Sequence, residues 1–494
     1  MTSPAMALTW AEIHRFARSP LVLPLVLVLL VSRTLSTWRD MTDWTIQSVD
    51  AATTLVLVGA GVMLAANLAV LRERGGGTAD LLESLPLPAA NRTWSVLCAS
   101  LFCGAAAALL VLSLHVPTLL VGAAPAGVFR PQELAAGVLA VMLMGALGVA
   151  LGRWVPSPVA APVVLMLIVW SLFQFRDSWL LPLVPTQALP FEAARPPLWH
   201  LLYLAALVTA VSLAAVMRHR RTTGTVAAAV AASAAVVGAA TLTAVPSAFE
   251  GAEPVELAGT HEGRVTVTAQ ASACEEHDGV DYCALPGFEP WVPLWRDAIG
   301  PVLEAAPPQA PQLEAVYQYT GYAFNDLEGG GYALVGTTWG RNGGEVEYRR
   351  AVAGSVAAFM AGFPPPDVLQ SDGQGGFGCD AAGQARTVIA LWLLGQTEAP
   401  VAAGTEREHM AEVGSDEVVA VELPASVFGA VSYGQAELDM AEELLADPNT
   451  QTLVHQEWER LVDVETTLEE AADVLGVAVP PGEPSGAERG TACA

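Results

Sequence analysis

The sequence predicts a membrane α-helical bundle, six helices plus a seventh anchoring helix, followed by a C-terminal soluble α+β domain. Three observations carry this reading. First, 53% of the 494 residues are hydrophobic and only 15% are charged, against roughly 25% charged in soluble domains. Second, seven apolar stretches lie at roughly 20–36, 51–71, 95–121, 134–152, 158–175, 198–217 and 225–245, most of them near the ~20 residues that cross a bilayer. Third, the charge is divided. Residues 1–245 hold 14 Arg and 10 acidic residues, a net of +4, whereas residues 246–494 hold 9 Arg and 40 acidic residues, a net of −31.

The elements follow in chain order. Residues 1–19 form an N-terminal tail in which Trp10, Ile13 and Phe16 recur at helical spacing, opposite Glu12, Arg15 and Arg18. That pattern predicts an amphipathic helix in the membrane interface. The first apolar stretch contains Pro24 and Arg33, follows basic residues and lacks a small-residue cleavage site, so it reads as a retained signal anchor. Six helices then occupy 20–220 and a seventh 221–245. Cys98 and Cys103 fall in the third stretch and read as packing residues. Gly148 and Gly152 give the fourth a small-residue face, for close packing within the subunit or at a dimer seam.

Arginine placement sets the orientation. With the N-terminus in the cytoplasm, the inner segments hold nine arginines, Arg15, Arg18, Arg72, Arg74, Arg92, Arg153, Arg218, Arg220 and Arg221, while the outer loops hold Arg39, Arg130, Arg176 and Arg195, with Arg33 at a span's outer end, beside Asp40, Asp43, Asp50, Glu133, Asp177 and Glu192. This is the positive-inside bias of a plasma-membrane protein. Seven crossings then put the C-terminal domain on the extracytoplasmic side.

Residues 246–478 form that acidic domain and 479–494 a disordered tail. The stretch 246–259 reads as an acidic linker and Arg264 onward as a strand. Residues 316–324 and 332–339 flank a Gly-rich turn and read as a hairpin with aromatic faces, among them Tyr317, Tyr319, Tyr322, Phe324, Tyr332 and Trp339. Helical periodicity covers 291–303, 349–362, 383–395, 435–446, 449–463 and 467–475, the last with a capping box from Thr466 to Glu469 and a stop at Gly476. In an oxidising compartment Cys274 and Cys283 would close a short disulfide loop, and Cys379 with Cys493 is a weaker pairing.

Several functions are excluded or disfavoured. Lysine is absent, so a Walker A phosphate loop and a Schiff-base enzyme are both ruled out. The strongly negative C-terminal charge disfavours nucleic acid. No His-Glu-x-x-His metal motif occurs, and Glu406, Glu408 and His409 read as a solvated turn. Ala430-Val-Ser432-Tyr-Gly434 lacks the first glycine of a nucleophile elbow. The sequence therefore predicts no catalytic residue, no metal site and no cofactor. No Asp, Glu, Lys or Arg falls mid-span, which disfavours an ion-coupled carrier; His115, near the outer end of the third stretch, reads as structural.

The most specific signal is the loop after the second stretch: Arg72-Glu73-Arg74, three glycines, Thr78, Leu81-Leu82, Pro86 and then Arg92. Glycine breaks the helix, Thr78 can cap a new one, the leucines share a face and Pro86 ends it. With the N-terminal helix and six spans, this loop resembles the ABC-2 type permease family, the membrane subunits of ABC transporters, many of them exporters. The resemblance covers about residues 7–220, and Thr78, Leu81, Leu82 and Pro86 match best. It implies a dimer, as a homodimer or paired permease, whose loop 72–92 is the coupling helix touched by a separate ATPase subunit. It also implies that 179–197 is an outer re-entrant segment. The seventh span and the C-terminal domain are additions to that pattern. The alternatives are a membrane-anchored extracytoplasmic ligand-binding sensor or accessory protein without transport activity, and a membrane enzyme.

Overall fold

The computed structural model describes residues 4–37, 41–73, 88–121, 125–174, 196–244, 255–257, 265–267, 273–319, 331–336, 345–363, 378–397, 421–425, 429–433 and 435–479. The chain divides into two units, Met1–Glu250 and Gly251–Ala494.

The first unit is helical among its described residues. Its helices are α1 (Pro4–Ala17), α2 (Leu23–Thr37), α3 (Trp44–Thr54), α4 (Val56–Arg72), α5 (Ala89–His115), α6 (Pro131–Trp154), α7 (Ala160–Gln174), α8 (Pro197–Met217) and α9 (Thr223–Thr243). Five spans are long and apolar enough to cross a membrane: Trp44–Arg72, Ala89–Leu120, Pro131–Trp154, Pro197–Met217 and Thr223–Thr243. The surface of this unit supports that reading. Leu27, Phe102, Leu109, Met166, Trp170 and Val230 are all exposed, whereas in the second unit only Val464 and Val479 are exposed large hydrophobics among the described residues. An apolar exterior of this extent suits a lipid surround.

Two of the seven expected spans differ in length. Helices α2 and α7 have 15 residues each, about 22 Å at 1.5 Å per residue, short of a ~30 Å hydrocarbon core. For the first, the geometry supplies the remainder. Ser95 Oγ donates to the Ala5 carbonyl at 3.2 Å, and Cys103 Sγ to that of Ile13 at 3.6 Å. A constant offset means that α1 runs parallel to α5, along its first half. Leu21 then lies against Gly61, and Arg33 Nη2 reaches Gln47 Oε1 at 3.2 Å. Thus α1 and α2 together follow the full length of Trp44–Arg72, as one run broken at residues 18–22.

This packing corrects one expected face of α1. Phe16 is buried and Trp10 is 62% exposed, on the apolar face, but Glu12 is buried rather than on an outer polar face. Opposite charges draw Glu12 inward, as described below. The second span also begins earlier than the hydropathy implied, so Asp50 stands inside α3 and not in a loop. The reason is local: Asp43 accepts the Thr45 N–H at 2.8 Å and caps the helix there.

Helix α6 is the hub, packed against α3, α4, α5, α7 and α8. Small residues make this possible. A Cβ on Gly148 would collide with the Met63 carbonyl oxygen, and one on Gly152 would stand 2.8 Å from Val70 Cβ. Both glycines therefore pack within the chain, against α4. Helix α9 packs chiefly against α8 and is mostly exposed.

The second unit mixes sheets and helices. A hairpin pairs β1 (Val255–Leu257) with β2 (Val265–Val267), so part of the expected linker is a strand. A four-stranded sheet has the order β3 (Ala273–His277), β4 (Val280–Ala284), β5 (Ala315–Tyr319), β6 (Tyr332–Gly336). Strands β5 and β6 are parallel, not the expected hairpin. The dozen residues between them suffice for a crossover; Tyr322 and Phe324 lie there, outside the described residues, as does Trp339. Val316 and Gln318 are fully buried while Tyr317 is half-buried, its ring edge-on to Tyr332 at 5.6 Å. A third sheet has the order β7 (Gly378–Asp380), β9 (Gly429–Tyr433), β8 (Val421–Ala425).

Around these sheets pack α10 (Val292–Ala305), α11 (Glu345–Met360), α12 (Ala385–Gly395) and α13 (Gln435–Ala446), then α14 (Thr450–Gln456), α15 (Trp458–Leu461) and α16 (Leu468–Leu475). Residues 449–463 thus form two helices rather than one. Helix α12 is the core, buried continuously from Ala385 to Leu393. The last capping box joins Thr467 and Glu470, one residue beyond the expected pair, and Gly476 takes φ 70° to end the helix.

Candidate functional site

Arginines gather where α4, α5, α6 and α8 end. Arg72 closes α4, Arg92 lies in the first turn of α5, Arg153 lies in the last turn of α6, and Arg218 follows α8. A cation at a helix C-terminus is favoured by the carbonyl dipoles there. Arg218 sits over the Trp154 ring at 5.4 Å, and Trp154 Nε1 donates to the Ala214 carbonyl at 2.9 Å, which joins α6 to α8.

Two glutamates organise the rest. Glu73 accepts two bonds from Arg153, Nη1 to Oε2 at 2.7 Å and Nη2 to Oε1 at 3.0 Å. Arg92 Nε lies 3.8 Å from the same carboxylate. Glu12 of α1 accepts from Arg15 at 2.8 Å and from Arg72 at 3.4 Å. The residues on both sides of the loop 74–87 are thereby fastened to each other and to α1 and α6. The close approach at Gly152 against Val70 and Asn67 brings the next residue, Arg153, level with Glu73.

Of the expected loop residues, Arg72, Glu73 and Arg92 belong to this network. Arg74, Thr78, Leu81, Leu82 and Pro86 lie outside the described residues, as does almost all of 179–197. Glu12 and Arg153 carry roles that sequence reasoning missed. The only local signals were a lone acid in a basic amphipathic helix and an arginine directly after the small-residue face.

The other end of the bundle is stitched by neutral polar groups. Thr42 Oγ1 donates to the Leu119 carbonyl, the Trp44 N–H to Ala126 at 2.8 Å, and the Val128 N–H to Thr45 Oγ1 at 2.9 Å. His115 is buried there, at the end of α5.

In the second unit Cys274 and Cys283 form a disulfide between residues that face each other across β3 and β4. The Cys379 side chain and Cys493 lie outside the described residues, as do His261, Glu406, Glu408 and His409. Cys98 and Cys103 are free thiols. Strand β9, which contains Ser432, leads into α13, but the Ser432 side chain is outside the described residues. Glu437 of α13 is buried and accepts the Gly383 N–H at 2.6 Å. Among the described residues no cluster of three His, Cys, Asp or Glu side chains could hold a metal ion.

No family model and no curated protein matches this chain.

Proposed function

We propose that this chain is the membrane permease subunit of an ATP-driven ABC-type transporter, working as a dimer and energised by a separate ATPase that docks on the loop 74–87. One observation carries the reading. The residues flanking that loop share a single carboxylate, Glu73, between Arg92 and Arg153, while Arg72 binds Glu12 of α1. A force applied to the loop would therefore reach α1, α4, α5 and α6 together, as a coupling element requires. In this reading the arginine collar faces the cytoplasm, in keeping with the positive-inside bias. The disulfide-bonded unit lies on the oxidising, extracytoplasmic side.

The test is direct. The full chain purified from its native membrane should carry an ATP-hydrolysing subunit in near-stoichiometric amount, and the chain alone should hydrolyse no ATP. Leu81→Asp with Leu82→Asp should release that subunit while the chain stays folded in the membrane. Retention of the ATPase by that variant overturns the reading.

A second reading, a membrane-anchored sensor, draws on α9. That helix packs chiefly against α8 and is mostly exposed, as a tether added for the C-terminal unit would be. Ligand-dependent signalling from a chain that never copurifies with an ATPase would favour it.

A further inference from the structure

The break between α1 and α2 forms a site of its own. Arg18 and Ser19 interrupt the helix and Pro20 has no N–H to continue it. The Ser19 carbonyl takes the N–H groups of Val22 and Leu23, and its hydroxyl that of Leu21. The turn so formed and the last turns of α4 border an open cavity of about 450 Å³.

The walls of this cavity are of two kinds. Arg15, Arg18 and Arg72 make part of the lining cationic, and Leu21 and Leu68 make part of it apolar. Glu12 is the opposing acid. It holds Arg15 and Arg72 in place, yet their side chains stay 61% and 56% exposed. Arg18 is exposed and makes no ion pair among the described residues. Three guanidiniums against one carboxylate leave the cavity positive. Planar guanidinium groups suit phosphate oxygens, which they can bind in pairs. The apolar wall is open to the lipid-facing surface, where Leu68 is exposed. A free phosphate has no use for that wall; an acyl chain does.

We propose that this cavity binds an anionic phospholipid, its phosphate between Arg15, Arg18 and Arg72 and an acyl chain along Leu21 and Leu68. The lipid would brace the broken first span against α4. The site stands whether or not the chain transports anything.

The full chain in detergent is titrated with phosphatidylglycerol and, separately, with phosphatidylcholine and with inorganic phosphate, following the thermal midpoint and bound lipid by native mass spectrometry. Phosphatidylglycerol should raise the midpoint saturably and remain bound in a fixed ratio, and the other two should do neither. Arg18→Gln should weaken the lipid by roughly tenfold, the loss of one charge-assisted contact. Leu68→Ser should weaken it as well, which gives a second arm that leaves the charges intact. Arg220→Gln, at an exposed arginine beyond α8, should leave the titration unchanged. An equal loss in Arg220→Gln would reduce the effect to diffuse surface charge and overturn the site. So would an undiminished response in both Arg18→Gln and Leu68→Ser, or reproduction of the shift by phosphate alone.

Discussion

Arg153 and Glu73, 80 positions apart, face each other as a paired fork, with two bonds at 2.7 and 3.0 Å. Their surroundings are unequal. The Arg153 side chain is 3% exposed and that of Glu73 18%, and Glu73 has Arg92 as a second cation. Removing the carboxylate therefore strands a buried cation, whereas removing Arg153 leaves Glu73 a partner. Breaking a buried pair from one side costs about 3–5 kcal/mol. Glu73→Gln should approach that loss in unfolding from mixed micelles, and Arg153→Met should lose clearly less. The double variant should recover part of the Glu73→Gln deficit, read as a coupling energy in a double-mutant cycle. Equal losses for the two single variants would contradict the asymmetry.

The contact between α4 and α6 makes a sharper steric claim. At Gly148 an added methyl meets a backbone carbonyl, that of Met63, which has no rotamer to yield. Gly148→Ala should therefore force the helices apart and lower the thermal midpoint strongly, by an overpacking penalty of about 1–3 kcal/mol or more. Gly238, in α9, has open space around its Cβ position. Gly238→Ala should be neutral or stabilising by up to about 1 kcal/mol, because alanine is the better helix former. A matched pair of thermal scans in one detergent decides it.

These contacts show which parts of the structure were readable beforehand. All seven apolar stretches are helices, because run length and hydropathy are local properties. Helical spacing marks α1 as a helix but carries no information on which face meets the bundle. Phe16 is buried there and so is Glu12, whose partner Arg72 lies 60 positions away. The loop residues Arg72, Glu73 and Arg92 stood out by pattern, whereas Arg153 joined them only through the packing of Gly152 on Val70. In the second unit, alternation marked β5 and β6 as strands but carried no information on direction, and the parallel pairing depends on the route of the residues between. Strand β8 escaped notice because Pro424 interrupts a short run, and proline counts against a central strand.

The Cys274–Cys283 disulfide closes a loop with a sequence separation of 9. A loop of that size stabilises by about 2–3 kcal/mol through the entropy of the unfolded chain. Cys274→Ala with Cys283→Ala should lower the unfolding midpoint of the C-terminal unit and leave the membrane unit untouched. Amide exchange in the full chain checks this: faster exchange at β3 and β4 and in the core of the C-terminal unit, with α4 to α6 unchanged, is the expected pattern.

Tyr282, on β4, links the same sheet to pH. Burial raises its phenol to about 12 from the ordinary 10; Arg296 nearby opposes the shift and Asp278 adds to it. The folded state thus favours the protonated phenol. Below pH 10 both states hold the proton and the contribution is complete. Between about 10 and about 12 the unfolded chain releases its proton first, so stability falls by up to roughly 1.4 kcal/mol per pH unit. Tyr282→Phe removes that dependence because phenylalanine has no proton to lose. Amide exchange in β4 and α10 of the full chain, compared at pH 9 and pH 11 after correction for intrinsic rates, should accelerate more in the native sequence than in the variant. Equal acceleration in the two would place the alkaline sensitivity of this sheet elsewhere.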